Sequence, residues 1–197
     1  MKIEKDFEST RLGIMEAAKL VFANYGYTKT SMDDISKATG KSRSSIYHYF
    51  SNKKEVFEAV ATQDFQKTIN EAHALINPSF SLEKNLSRYY LKKLKKIKTN
   101  LKKNQKFILE IREQKDLTCR LNRLLIDEEA LIMRNCFSWA VQNNEITAMS
   151  EEDLAFLSNL IITALRGFEE EMIVYNTIDD YERRVEWLLS ILIKGLK

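Results

Sequence analysis

The sequence predicts an all-α protein, with an N-terminal three-helix domain over residues 1–55 and a larger helical domain over 56–197. Three observations carry this expectation. The 197 residues include one Pro and five Gly, so few points interrupt a helix. Leu, Ile, Lys and Glu are abundant, and apolar residues recur at spacings of about three and four along most of the chain. Ser, Thr, Asp or Asn stand ahead of these runs, and Gly or Asn-Pro follow several of them. A chain of this length buries a sizeable core.

The first helix is expected over Asp6–Tyr25, with Leu12, Ile14, Met15, Ala18, Val21 and Phe22 as its apolar face. Gly26 ends it, and Tyr27 is placed to fold back onto it. Next comes TSMDDISKATGKSRSSIYHYF, residues 30–50. Thr30 or Ser31 can cap a helix carrying Asp33 and Asp34 in its first turn, where the helix dipole favours carboxylates. Met32, Ile35 and Ala38 form its apolar stripe, and Gly40 stops it. Ser42 then caps a second short helix, Arg43 to Tyr49. Two short helices joined by a tight Gly-containing turn are the helix-turn-helix pattern. In the second helix only Ile46 and Phe50 look buried; Ser42, Arg43, Ser44, Ser45, Tyr47, His48 and Tyr49 are small or polar. Such a helix is held by its neighbours and offers donors to base edges and phosphates, and Arg43 can contact a guanine edge bidentately.

Ser51 is a candidate cap for the next helix, which runs through Val56, Phe57, Val60, Phe65 and Ile69 to about Ile76, where Asn77-Pro78 breaks it. Lys53 and Lys54 sit at its N-terminus, where free amides already favour an anion; a phosphate partner and plain solvation are both open. A helix from Leu82 to Asn100 has Leu86, Tyr89, Tyr90, Leu94, Ile97 and Leu101 on its apolar side, and a further segment to Lys115 carries Phe107, Ile108 and Ile111. Residues 84–106 hold Lys84, Arg88, Lys92, Lys93, Lys95, Lys96, Lys98, Lys102, Lys103 and Lys106 with no acid among them. This block reads as a solvated face, a DNA-backbone contact, an anionic-ligand site or a basic amphipathic helix on an anionic membrane. The last of these gives the alternative to DNA binding, a helical structural or membrane-surface protein.

Asp116 to Glu145 is the next long helix, with Leu117, Leu121, Leu124, Leu125, Leu131, Ile132, Phe137 and Val141 apolar. Phe107, Ile111, Met133, Cys136, Phe137 and Trp139 are candidate lining residues for an apolar ligand pocket, since Met and aromatic side chains adapt to irregular ligands; ordinary core packing accounts for each of them equally well. Ser150–Asp153 is a capping-box start for a helix over 150–174, and Thr177 and Asp180 mark the start of the last, 178–196. Both carry apolar residues on more than one face and need a second surface to cover them. Residues 107–197 hold 17 acids against 10 bases, so charge lies in blocks that suit different partners.

No catalytic constellation is present. His48 and His73 fall on different helices, without carboxylates or Cys at metal-ligand spacing, and no Gly-rich phosphate loop or nucleophile motif occurs. No cofactor is expected. Glu169-Glu170-Glu171 reads as a solvated face. Two Cys, Cys119 and Cys136, and no apolar run of membrane-spanning length place the chain in a reducing, cytoplasmic setting.

Over residues 14–60 the sequence resembles the TetR family of transcriptional repressors. The resemblance lies in AAKLVFANYGYTKTSM and DISKATGKSRSSIYHYFSNKKEVF, with Ala17, Phe22, Gly26, Thr28, Thr30, Ile35, Gly40, Ser42, Tyr47, Phe50, Lys54, Glu55 and Phe57 at matching positions. Lys41, Thr39 and the order His48-Tyr49 depart from the usual pattern. The resemblance implies that Ser42, Arg43, Ser44, Tyr47 and His48 face the major groove of double-stranded DNA, with Thr28, Tyr49, Lys53 and Lys54 on the backbone and Thr30 also among the DNA-binding residues. It also implies a palindromic operator, a homodimer paired through the last two helices, with small Ala164 and Gly167 permitting close approach, and a small-molecule effector in the C-terminal domain that controls the grip.

Overall fold

The computed structural model describes the backbone of residues 2–174 and 180–197, and the side chains of residues 5–169 and 180–197. Among the described residues there are nine helices and no strand: α1 (Lys2–Tyr25), α2 (Met32–Thr39), α3 (Arg43–Tyr47), α4 (Lys53–His73), α5 (Leu82–Lys103), α6 (Gln105–Glu113), α7 (Lys115–Gln142), α8 (Glu151–Val174) and α9 (Tyr181–Gly195). Thr177, an expected start of the last helix, lies outside the described residues. The chain packs into two compact units, Met1–Phe65 with Asn100–Leu121, and Gln66–Thr99 with Asn122–Lys197.

In the first unit, the turn signals act as their chemistry requires. Gly26 and Gly40 have φ of 83° and 65°, where a side chain is disfavoured. Ser31 caps α2: its hydroxyl accepts from Asp34 N, and the Asp34 carboxylate accepts from Ser31 N, which satisfies two orphan amides reciprocally. Ser42 caps α3 by accepting from Ser45 N. At the start of α4 the cap is Asn52, not Ser51: Asn52 Oδ1 accepts from Glu55 N at 2.9 Å, while Glu55 reaches back to Ser51 N at 2.7 Å. The core of this unit is aromatic. Phe57 lies 5.1 Å from Phe22, 4.6 Å from Tyr27 and 5.0 Å from Phe107, ring centre to ring centre. Met32, Ile35, Ile46 and Phe50 are buried, which fixes α2 and α3, whereas Ala38 is exposed.

In the second unit, Asn85 ties the Asn77–Phe80 turn to α5 through Asn77 N, Asn77 O and Phe80 O. Glu145 accepts from Leu82 N at 2.8 Å and so caps the start of α5. Leu86, Leu94, Leu125, Met133, Phe137, Ile162, Val185 and Leu189 are buried.

Four charges sit among these apolar residues. Lys93 Nζ lies 2.6 Å from Glu129 Oε1 and 2.7 Å from Glu169 Oε1, Arg166 is 3.1 Å from Glu129 Oε2, and the Tyr89 hydroxyl donates to Glu129 at 2.6 Å. Glu129 is fully buried, Lys93 is 3% exposed and Glu169 8%. Glu169 is therefore not on a solvated face, and Lys93 is not one of the solvated lysines. Burial holds the Glu169 carboxyl above its usual range, with Lys93 opposing. Burial likewise pushes the hydroxyls of Tyr89 and Tyr90 well above the usual tyrosine range.

Candidate nucleic-acid interface

The surface of α3 is built from below by two apolar anchors. Ile46 is fully buried and Phe50 is 1% exposed, so the helix is seated on the first unit through them. That seating turns Ser42, Arg43, Ser44, Tyr47 and His48 outward, and all five are exposed. Ser42 and Ser44 hydroxyls lie 3.1 Å apart at the start of the helix. The Arg43 guanidinium lies 3.3 Å from the Asp33 carboxylate and 3.5 Å from the Tyr47 hydroxyl. These contacts hold the guanidinium over the outer face, and both are exposed to water and weak enough to yield to a stronger acceptor. Tyr49 is half-buried, with its ring 4.6 Å from Phe7, and His48 is 5.8 Å from Phe7. Phe7 on α1 thus limits how the last two side chains of the segment can move.

Around this face, Thr28 and Lys54 are exposed. Lys54 has one long contact, 3.9 Å to Glu58. Lys53 is half-buried; its ammonium donates to Tyr27 O at 2.7 Å and lies 4.3 Å over the Tyr27 ring. Thr30 departs from the sequence expectation. It is 3% exposed, and its hydroxyl donates to Gly26 O at 2.6 Å, so it closes the α1–α2 turn and presents no free hydroxyl to a phosphate. Ser31, one residue on, carries the exposed hydroxyl at this helix start.

The proposed pocket residues separate between the two units. Phe107 belongs to the aromatic core of the first unit, stacked on Phe22 at 6.1 Å, and Ile111 is buried on the same helix, α6. Phe107 is thus a core residue, anchored by rings far away in sequence. Met133, Cys136 and Phe137 are buried on α7 in the second unit, with Trp139 half-buried beside them. Burial pushes the Cys136 thiol up to about 12, which keeps it protonated and apolar in behaviour. The lysine block is largely engaged within the chain: Lys92 and Lys96 pair with Glu71, Lys93 lies in the buried cluster, Lys84 and Arg88 lie over Phe80, and Lys98 over Tyr181. Among the described residues, no helix is long and apolar enough to cross a membrane.

Comparison with known proteins agrees with this geometry. Residues 14–60 match the family described as "Bacterial regulatory proteins, tetR family". The HTH-type transcriptional repressor AcnR of Corynebacterium efficiens is 39% identical over 56 residues, 28% of this chain and 30% of that protein. The HTH-type transcriptional regulator TtgR of Pseudomonas putida is 28% identical over 94 residues, 45% of each chain. The matches thus span less than half of these relatives. Over nearly the whole chain the fold is shared with solved structures. A TetR transcription regulator from Haloarcula marismortui superposes with a TM-score of 0.69 at 16% identity, covering 96% of this chain and 98% of that one. The transcriptional regulator FadR from Bacillus subtilis, solved with stearoyl-CoA, gives 0.64 at 19% identity, covering 94% and 99%. Residues 14–60 thus carry the match to the tetR family of bacterial regulatory proteins, and over nearly its whole length the chain shares the helical fold of these solved structures.

Proposed function

We propose that this chain is a repressor of transcription in the cytoplasm, that it binds a palindromic operator as a homodimer, and that a small molecule controls its affinity. Residues 1–55 supply the DNA contact, and residues 56–197 supply dimerisation and effector binding. The observation that carries this is α3: a helix of five residues, anchored by Ile46 and Phe50, whose outer face is Ser42, Arg43, Ser44, Tyr47 and His48. Backbone contacts come from Thr28, Tyr49, Lys53 and Lys54. The homodimer is supported by apolar side chains left in the open on α8 and α9. Phe156 is 68% exposed, Leu160 53%, Trp187 65% and Ile191 46%, and small Ala164 and Gly167 lie on the same side of α8 as Phe156 and Leu160. Isologous pairing of such faces covers them and supplies the second copy of α3 that a two-fold operator requires. For the effector, the supporting residues are Met133, Cys136, Phe137 and Trp139 on α7.

Two substitutions separate base reading from backbone holding. Arg43→Ala is expected to cost about 1–3 kcal/mol on the cognate duplex and to relax preference at one base position. Lys54→Ala is expected to weaken cognate and random duplexes alike and to lower the slope of log affinity against log salt by about 1. Titration of both variants on both duplexes over a salt series reads this out. Equal losses on the two duplexes for Arg43→Ala remove the base-reading role.

A further inference from the structure

Glu110 grips the turn that opens the helix-turn-helix. The turn between α1 and α2 begins at Gly26, whose φ of 83° swings the next two amides round to one side. Both meet the Glu110 carboxylate on α6: Oε2 accepts from Tyr27 N, and Oε1 from Thr28 N at 3.3 Å. A Cβ at Gly26 would stand 2.7 Å from Glu110 Oε1, so a side chain there would push the carboxylate aside, and the backbone angle itself favours glycine. The same turn is held from the other side by Lys53, which donates to Tyr27 O, and from within by Thr30, which donates to Gly26 O. Immediately after it come Ser31 and the capping box of α2. Glu110 is only half-buried, and its carboxylate takes both amides.

We infer that Glu110 is a positioning residue for DNA binding, which fixes the Gly26–Thr28 turn and thereby sets where Thr28 and the start of α2 meet the DNA backbone. This inference rests on the DNA-binding function proposed above. The helix that carries Glu110 is suited to a tie of this kind. α6 is nine residues long, its N-cap residue Asn104 makes no side-chain cap hydrogen bond, and it is fixed to the first unit by Phe107 against Phe22 and Phe57. A small displacement of α6 therefore reaches the turn through a charge-assisted pair of hydrogen bonds, which are the strong and directional kind. Gln at 110 keeps one carbonyl acceptor of the same reach, whereas Ala keeps none.

The test uses the full chain and a duplex selected from a random pool. Glu110→Ala is expected to bind that duplex about tenfold more weakly. Its Tyr27 and Thr28 amides are expected to exchange with solvent at least about tenfold faster, with Ile35 and Ile46 amides unchanged. Glu110→Gln is expected to recover a substantial part of both. Unchanged or tighter binding by Glu110→Ala overturns the inference, and so does faster exchange spread evenly over α2 and α3, which marks a merely structural loss. Arg43→Ala measured in parallel separates the two levels. If it binds the selected duplex like the parent protein, DNA reading by α3 fails; if it loses affinity while Glu110→Ala does not, only the role of Glu110 fails.

Discussion

Lys93→Met is expected to destabilise the second unit by about 3–5 kcal/mol, the range for removing one partner of a buried ion pair. Lys93 is the hub between two carboxylates that have little access to water, and a methionine of similar length leaves Glu169 with only the weaker Coulombic pull of Arg166 and Glu129 with only Arg166 and Tyr89. The cost comes from the stranded charge more than from the lost contact. Trp139 and Trp187 are the only tryptophans and both belong to this unit, so their fluorescence in a urea series reports the effect directly. The pH dependence has a definite sign. Burial raises the Glu169 pKa, with Lys93 pulling it down. A carboxyl raised in the folded state contributes stability that is present below its unfolded pKa and is lost as pH rises through the folded value. Removal of Lys93 lifts that folded value further, so the loss in Lys93→Met is expected to be largest at neutral pH and smaller towards acid. Glu169→Gln added to Lys93→Met is expected to return part of the stability and to flatten the pH profile. A loss below about 1 kcal/mol at neutral pH, with no pH dependence, would mean that the cluster is effectively hydrated.

Phe57→Ala is the second large effect, expected to cost about 3–5 kcal/mol in the first unit. Phe57 is fully buried and its ring meets those of Phe22, Tyr27 and Phe107, so truncation leaves a cavity bordered by three rings. Tyr27 sits in the turn gripped by Glu110 and Lys53, which ties this core to the proposed DNA-facing side. Faster amide exchange throughout α1 and α2, with loss of duplex binding, is the expected result. Retention of parental exchange rates would show that the aromatic cluster is not what holds the unit.

The helix-turn-helix was legible in the sequence because its determinants are local. Ser31 and Asp34 form their box across one turn, Gly40 takes its left-handed angle from its own lack of a side chain, and Ser42 caps the helix that follows it. Thr30 was misread because its hydroxyl is used inward, on a carbonyl four residues back, a choice that composition does not mark. For Phe107 the sequence leaves pocket and core both open, because the rings it packs on, Phe22 and Phe57, are far away along the chain. The buried charges did carry a signal. Lys93 follows Leu86, Tyr89 and Tyr90 in the apolar register of α5, Glu129 stands between Leu125 and Ile132, and Glu169 follows Ile162 and Leu165. A charged residue in an apolar register is either exposed by a break in the helix or paired inside, and these helices have no break. The abundance of lysine and glutamate around them hid that distinction.

In the proposed function α3 is presented in duplicate to enter the grooves of DNA. The mass of the complex formed with duplexes selected from a random pool tests it most directly. An inverted repeat with half-sites about one helical turn apart, carrying two chains, is the expected result. A single half-site occupied by one chain, or a pool that yields no shared sequence, would contradict it.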